Sequence, residues 1–162
     1  MGSMLFAHEV PQKGGDTMFA SMYSAYDNLS TGLKNTLNGM KARHSSKHVF
    51  GKDRASRHDD TVGRIRNPEA ANQDAIHPVV IKHPDTGRKA LYVNPTFTLG
   101  FDGWTDAESK PLLDYLYQHA TRPEFTCRFE WKPGSIAFWD NRATWHLAIN
   151  DYQGEKRLMH RI

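Results

Sequence analysis

The stretch WDNRATWHLAINDYQGEKRLMHRI, Trp139 to Ile162, limits the fold more than any other part of the chain. It alternates like β-strand, yet it carries two permanent cations, Arg157 and Arg161. Successive strand side chains point to opposite faces, so Arg157, Met159 and Arg161 share one side while Leu158, His160 and Ile162 share the other. Either the Leu/Ile side is core and the guanidiniums stand in water, or the arginine side lines a cavity. A cavity would need an anion in it, because an unpaired buried charge is very costly. Arginine suits that task, since its planar fork grips a carboxylate or sulfonate through paired hydrogen bonds. His146 lies on the preceding strand, residues 144–149, and shares a face with Thr144 and Ala148. The two strands are expected to pair through the turn at residues 150–154. A neutral imidazole beside two guanidiniums could ligate a metal while the arginines hold organic anions, as in iron(II) oxygenases built on two histidines and a carboxylate.

Upstream, residues 3–10 alternate like a strand, and residues 11–17 form a loop with Gly14 and Gly15 free to take positive φ. Helical spacing predicts a helix over residues 18–29, capped by Asp16 or Thr17, and a short second one through Leu33, Leu37 and Met40. Residues 42–76 are polar and poorly periodic and read as a long loop. Runs 79–82 and 90–94 flank the turn Pro84-Asp85-Thr86-Gly87 as a hairpin. Thr105 to Glu108 is a capping box opening a helix with Leu112, Leu113, Leu116 and Tyr117 on one side. The remainder is strand material. Strands with a few helices inserted, no internal repeat and 162 residues predict one mainly β domain spanning residues 1–162, an antiparallel sandwich or jelly roll with helical insertions.

Composition narrows the partners. Lys and Arg number 21 against 18 Asp and Glu, a net charge of +3. The basic residues between 41 and 66 are mixed with Ser, His and Asp, with Phe50 the only aromatic among them, which reads as a solvated loop rather than a nucleic-acid face. No apolar run approaches a membrane span. The single cysteine, Cys127, excludes an internal disulfide and is expected to pack as a small core side chain. A cytoplasmic location is the default.

GGDT at Gly14–Thr17, HPVV at His77–Val80, ALYVNPTFT at Ala90–Thr98 and WDNRATWH…R…MHR at Trp139–Arg161 together resemble the taurine/2,4-D dioxygenase (TauD/TfdA) family, most nearly its taurine branch. The resemblance runs from about Ser3 to Ile162. It implies a double-stranded β-helix, with Fe(II), 2-oxoglutarate and O2 as cofactor and co-substrates. It implies hydroxylation of a small anionic substrate such as taurine or another sulfonate, with release of succinate and CO2. His146 would be an iron ligand and, with Arg157, catalytic. Arg157 and Thr17 would hold the far carboxylate of 2-oxoglutarate. Arg161 would meet the anionic group of the prime substrate, with Phe97 and Phe50 as aromatic walls.

Two alternatives stay open: the same chemistry on an aryloxyalkanoate, an alkyl sulfate or another carboxylate, or a jelly-roll fragment without catalysis. A homo-oligomer is also left open. The chain departs from the family pattern in one respect. The other two iron ligands form a His-x-Asp/Glu motif upstream of GGDT, and residues 1–13 contain none. His8-Glu9 are adjacent and point to opposite faces, while His58-Asp59-Asp60 and His83-Pro84-Asp85 lie downstream. The expectation is therefore the C-terminal portion of a longer catalytic domain, an incomplete β-helix whose turnover needs the upstream ligands.

Overall fold

Strand β1, Gly2–Glu9, runs between two antiparallel neighbours, β9 (Ile136–Asp140) and β11 (Leu158–Arg161). The computed structural model describes residues 1–50 and 73–161. Register pairs Ser3 with Trp139, Leu5 with both Ala137 and Arg161, and Ala7 with Met159. One face of this sheet therefore carries Ser3, Leu5, Ala7, Ala137, Trp139, Met159 and Arg161. The other carries Phe6, Ile136 and Phe138, of which Ile136 is 58% and Phe138 74% exposed.

A second three-stranded antiparallel sheet has β2 (Thr17–Ser21) between β8 (Thr126–Phe129) and β10 (Thr144–Ala148). Thr17 pairs with Phe129 and Ala148, and Phe19 with Cys127 and His146, so these side chains share a face. Ala7, Trp131, Ala137 and Trp139 form the core, with Leu5, Phe19, Phe129 and Met159 packed around them. The inward faces of both sheets thus meet in one sandwich, and the sheets do not close.

These sheets belong to the first of two compact units, Met1–Ser30, Ile81–Leu91 and Gln118–Ile162; the second is Thr31–Val80 with Tyr92–Tyr117. The first unit also holds α1 (Met22–Asp27) and the turn of the hairpin β5 (Val80–Lys82) to β6 (Lys89–Leu91). Buried His83 builds that turn. Its Nδ1 accepts from the backbone N–H groups of Asp85 (3.2 Å) and Thr86 (3.3 Å), and its Nε2 donates to Asp140 Oδ2 at 2.8 Å.

In the second unit, β3 (Lys41–Ser45) is the middle strand between β4 (Asp74–Pro78) and β7 (Thr98–Phe101). Helices α2 (Thr31–Leu37) and α3 (Lys47–Phe50) flank β3 in sequence. Helix α4, Asp106–Ala120, begins in this unit. Its capping box is closed by Thr105 N–H to Glu108 (2.8 Å) and Glu108 N–H to Thr105 Oγ1 (3.3 Å). Fully buried Leu37, Val79, Val93, Phe101 and Leu116 form this unit's core, each contributing roughly 1.5–3 kcal/mol. No helix among the described residues is long and apolar enough to cross a membrane.

Four expectations are corrected. The helix expected over residues 18–29 is strand through Ser21, and Ser21, not Asp16 or Thr17, caps α1 by accepting from Ser24 N–H at 3.2 Å. Ladders on both sides of β2 override the helical spacing of Met18 and Met22. The polar loop expected over residues 42–76 contains β3 and β4; only Ala42 and Ser45 of β3 are buried, so no apolar alternation marks it. β10 and β11 do not pair: residues 149–157 carry the chain from one sheet to the other. Cys127 is exposed rather than packed, because β8 is an edge strand.

His44 in β3 lies 5.5 Å from the ring of His77 and holds Thr98 Oγ1 at 3.2 Å through Nδ1. Its buried Nε2 has no hydrogen-bond partner. Burial first, and the charge of His77 second, push its pKa from 6.5 down to about 4. A depressed histidine contributes stability that is complete above its unfolded pKa and is lost as pH falls toward the folded value. Thermal unfolding of the wild type minus that of His44→Gln should therefore narrow as pH drops from 6.5 to 4. A difference independent of pH contradicts the assignment.

Candidate active site

The GGDT segment is shaped by what presses against it. Gly14 and Gly15 have φ of 80° and 72°. A Cβ on Gly14 would lie 2.5 Å from Asp151 Oδ1, and one on Gly15 would lie 3.1 Å from Arg157 Cδ. Glycine supplies both the left-handed backbone and the clearance. Gly15 N–H donates to Asp151 Oδ1 at 2.7 Å. Buried Asp16 accepts from Arg128 Nε at 2.5 Å, and Arg128 also lies 3.5 Å from Asp151. This staple delivers Thr17, 2% exposed, to the start of β2, where its Oγ1 accepts from Trp131 Nε1 at 3.0 Å.

Arg157 crosses the same turn. Its Nε donates to the Gly15 carbonyl at 3.0 Å, and its guanidinium lies 6.0 Å from the Trp131 ring centre and 5.9 Å from that of Tyr152. Its Nη2 is buried with no hydrogen-bond partner. Such a donor in a half-buried cation is the expected mark of a missing acceptor.

His146 pairs with Phe19 across the ladder and is exposed as a residue, with its ring 4.8 Å from that of Trp139. Desolvation, then the positive charge of Arg161, hold its pKa below the ordinary histidine value. Both effects favour the neutral imidazole, the form with a lone pair to offer. Arg161 is exposed as a residue, while its Nη2 donates to Ser3 Oγ at 2.9 Å; Ser3 is 5% exposed. Leu158, by contrast, is 46% exposed, and Met159 packs against the core. The arginine side of β11 is the inward side.

The WDNR run supports both strands. Arg142 clamps Asp140 through Nε at 2.9 Å and Nη2 at 2.6 Å and reaches Asp85 at 3.2 Å. That clamp, with the bond from His83, holds the Asp140 carboxyl well below the usual carboxylate range.

A comparison of the arginines is informative. Among the described residues Arg43, Arg88, Arg122, Arg128 and Arg142 each meet a carboxylate. Arg157 and Arg161 donate to neutral oxygens. Their charge is left for an external anion.

Thr17, His146, Arg157 and Arg161 thus gather in the first unit. Phe50 and Phe97 belong to the second, where their rings lie 5.9 Å apart. Among the described residues no three His, Cys, Asp or Glu side chains converge as a metal site. The residues present offer one imidazole and do not by themselves fit a three-ligand iron centre. His83-Pro84-Asp85 is a turn whose imidazole nitrogens are both engaged, and His58-Asp59-Asp60 lies outside the described residues. The sequence reading missed Asp151, Trp131, Tyr152 and Trp139. An aspartate and an aromatic just before Arg157 were the signal, legible once the loop is known to cross GGDT.

Gly14→Ala should destabilise the protein by about 1–3 kcal/mol in urea unfolding, from strained φ and the clash with Asp151. Gly32→Ala, with nothing within 4 Å of its Cβ position, should change stability by less than about 1 kcal/mol. Equal effects contradict the staple.

Residues 1–162 match the family described as taurine catabolism dioxygenase TauD, TfdA family. An alkylsulfatase of Acinetobacter baylyi is 34% identical over 154 residues, covering 94% of this chain and 48% of the relative. A taurine dioxygenase from Burkholderia xenovorans superposes with a TM-score of 0.80 at 36% identity, covering 99% of this chain and 50% of that one. AAD-2 in complex with Mn(II) and N-oxalylglycine gives 0.82 at 30% identity, covering 99% and 61%. The chain spans about half the length of the curated relatives it matches. Its two facing sheets are jelly-roll sheets of this kind, and the chain belongs to the taurine catabolism dioxygenase TauD, TfdA family.

Proposed function

We propose that the protein works as an Fe(II)- and 2-oxoglutarate-dependent dioxygenase on a small organic anion, a sulfonate in the first place. The observation that carries this reading is the pair of inward arginines without a carboxylate, one of them with a buried, unpartnered Nη2.

In this reading Arg157 holds the far carboxylate of 2-oxoglutarate through the free Nη2. Thr17 accepts from Trp131, which leaves its hydroxyl proton to donate to the same carboxylate. N-oxalylglycine, found with AAD-2, is a diacid of the same length as 2-oxoglutarate. His146 offers its neutral imidazole to the metal. Bound iron would supply the oxygen chemistry, and the described residues give it one ligand. Arg161 orients the prime substrate by its anionic group. An alkyl sulfate or aryloxyalkanoate would satisfy Arg161 equally well, and the alkylsulfatase relative supports the former.

Titration calorimetry of the protein with 2-oxoglutarate, Mn(II) present, tests the division of labour. Arg157→Ala should weaken 2-oxoglutarate by about tenfold or more, the worth of charge-assisted hydrogen bonds. Arg161→Ala should change it by less than about twofold while weakening a sulfonate or sulfate ester about tenfold. Wild type that binds no 2-oxoglutarate, or variants with equal effects on both ligands, would overturn the reading.

A further inference from the structure

We propose that Asn141 and Ser3 are positioning residues, a relay of hydrogen bonds that sets the guanidinium of Arg161 in register with the indole backing His146. The relay rests on the anion-gripping role proposed above for Arg161.

The bonds run without a break. Trp139, 6% exposed, carries the imidazole of His146 on its ring at 4.8 Å. Its Nε1 donates to Asn141 Oδ1 at 2.9 Å. Asn141 Nδ2 donates to Ser3 Oγ at 2.8 Å, and Arg161 Nη2 donates to the same oxygen at 2.9 Å. Donor chemistry fixes the direction of each link. An indole N–H only donates, so the amide must turn its oxygen to Trp139 and its nitrogen to Ser3. Flipping that amide would set its NH2 group against the indole N–H, donor against donor. Ser3 then fills both acceptor positions with donors from Asn141 and Arg161. The amide tunes Arg161 without touching it, and three separate stretches of sequence meet at one buried hydroxyl.

Charge gives the relay its function. A carboxylate at either position would neutralise Arg161 and compete with a substrate anion. An amide and a hydroxyl hold the guanidinium in place and leave its charge intact. The chain spends carboxylates on Arg128 and Arg142 nearby, so their absence here matches a cation kept for a ligand.

The test uses 15N NMR of the full chain, with the Trp139 indole assigned through Trp139→Phe, alongside calorimetric titration with methanesulfonate and with 2-oxoglutarate. Ser3→Ala, which removes the hydroxyl from the cross-strand neighbour of Trp139, should move the Trp139 indole resonance and leave that of Trp104 in place. It should weaken methanesulfonate about fivefold to tenfold and 2-oxoglutarate less than about twofold. Ser3→Thr, which keeps the hydroxyl, should restore the wild-type indole resonance. Asn141→Asp keeps the size of the side chain but brings a negative charge one hydroxyl away from Arg161, and should weaken methanesulfonate further. An unmoved Trp139 indole in Ser3→Ala overturns the relay, as does equal weakening of both ligands. Wild type that fails to bind methanesulfonate sinks the substrate reading, and the indole resonance still decides the relay.

Discussion

The hydrogen bond from Arg157 Nε to the Gly15 carbonyl organises the site. It ties the end of the chain to the loop ahead of β2 and fixes the guanidinium by its least useful edge. Its Nη2 is left buried and unpartnered, and the guanidinium lies 6.0 and 5.9 Å from the ring centres of Trp131 and Tyr152. The glycines, Asp151, Asp16 and Arg128 all serve that contact: they bend the loop so that its carbonyl points at the arginine. A side chain on Gly14 or Gly15 would push against Asp151 or Arg157 itself.

Electrostatics separates scaffold from site. Scaffold cations are neutralised inside the protein, as Arg142 is by Asp140 and Arg128 by Asp16. The two cations on the inward side of the last strand meet neutral oxygens only. A half-buried guanidinium such as that of Arg157 is tolerable when a ligand anion joins it. His146 answers the same field: desolvation first and the charge of Arg161 second favour its neutral form, the form in which an imidazole can bind a metal.

Much of this was legible in the sequence, for identifiable reasons. Period-two alternation marked β1, where Ser3 and Ala7 are buried on one face, and Thr105 with Glu108 announced α4. The strand pattern left open which side of the last strand faces inward; the structure decides it, with Leu158 exposed and Met159 packed on the core. What failed was long-range. Met18 and Met22 at helical spacing could not reveal that Thr17–Ser21 is gripped by strands on both sides. Nor could adjacency in sequence show that β10 and β11 part into different sheets. β3 and β4 were hidden because backbone pairing, not apolar alternation, holds them. GGDT and WDNR were visible as motifs, but their physical reasons, a carboxylate against Gly14 and an arginine clamp on Asp140, exist only in three dimensions.

A crystal structure of the protein grown with glutarate, the five-carbon diacid without the keto group, tests the central claim most directly. A carboxylate of glutarate should lie within hydrogen-bond distance of Arg157 Nη2 and of the Thr17 hydroxyl, with the Gly15–Arg157 bond intact. Glutarate bound elsewhere, or an Arg157 Nη2 turned to solvent with the ligand absent, would contradict the account.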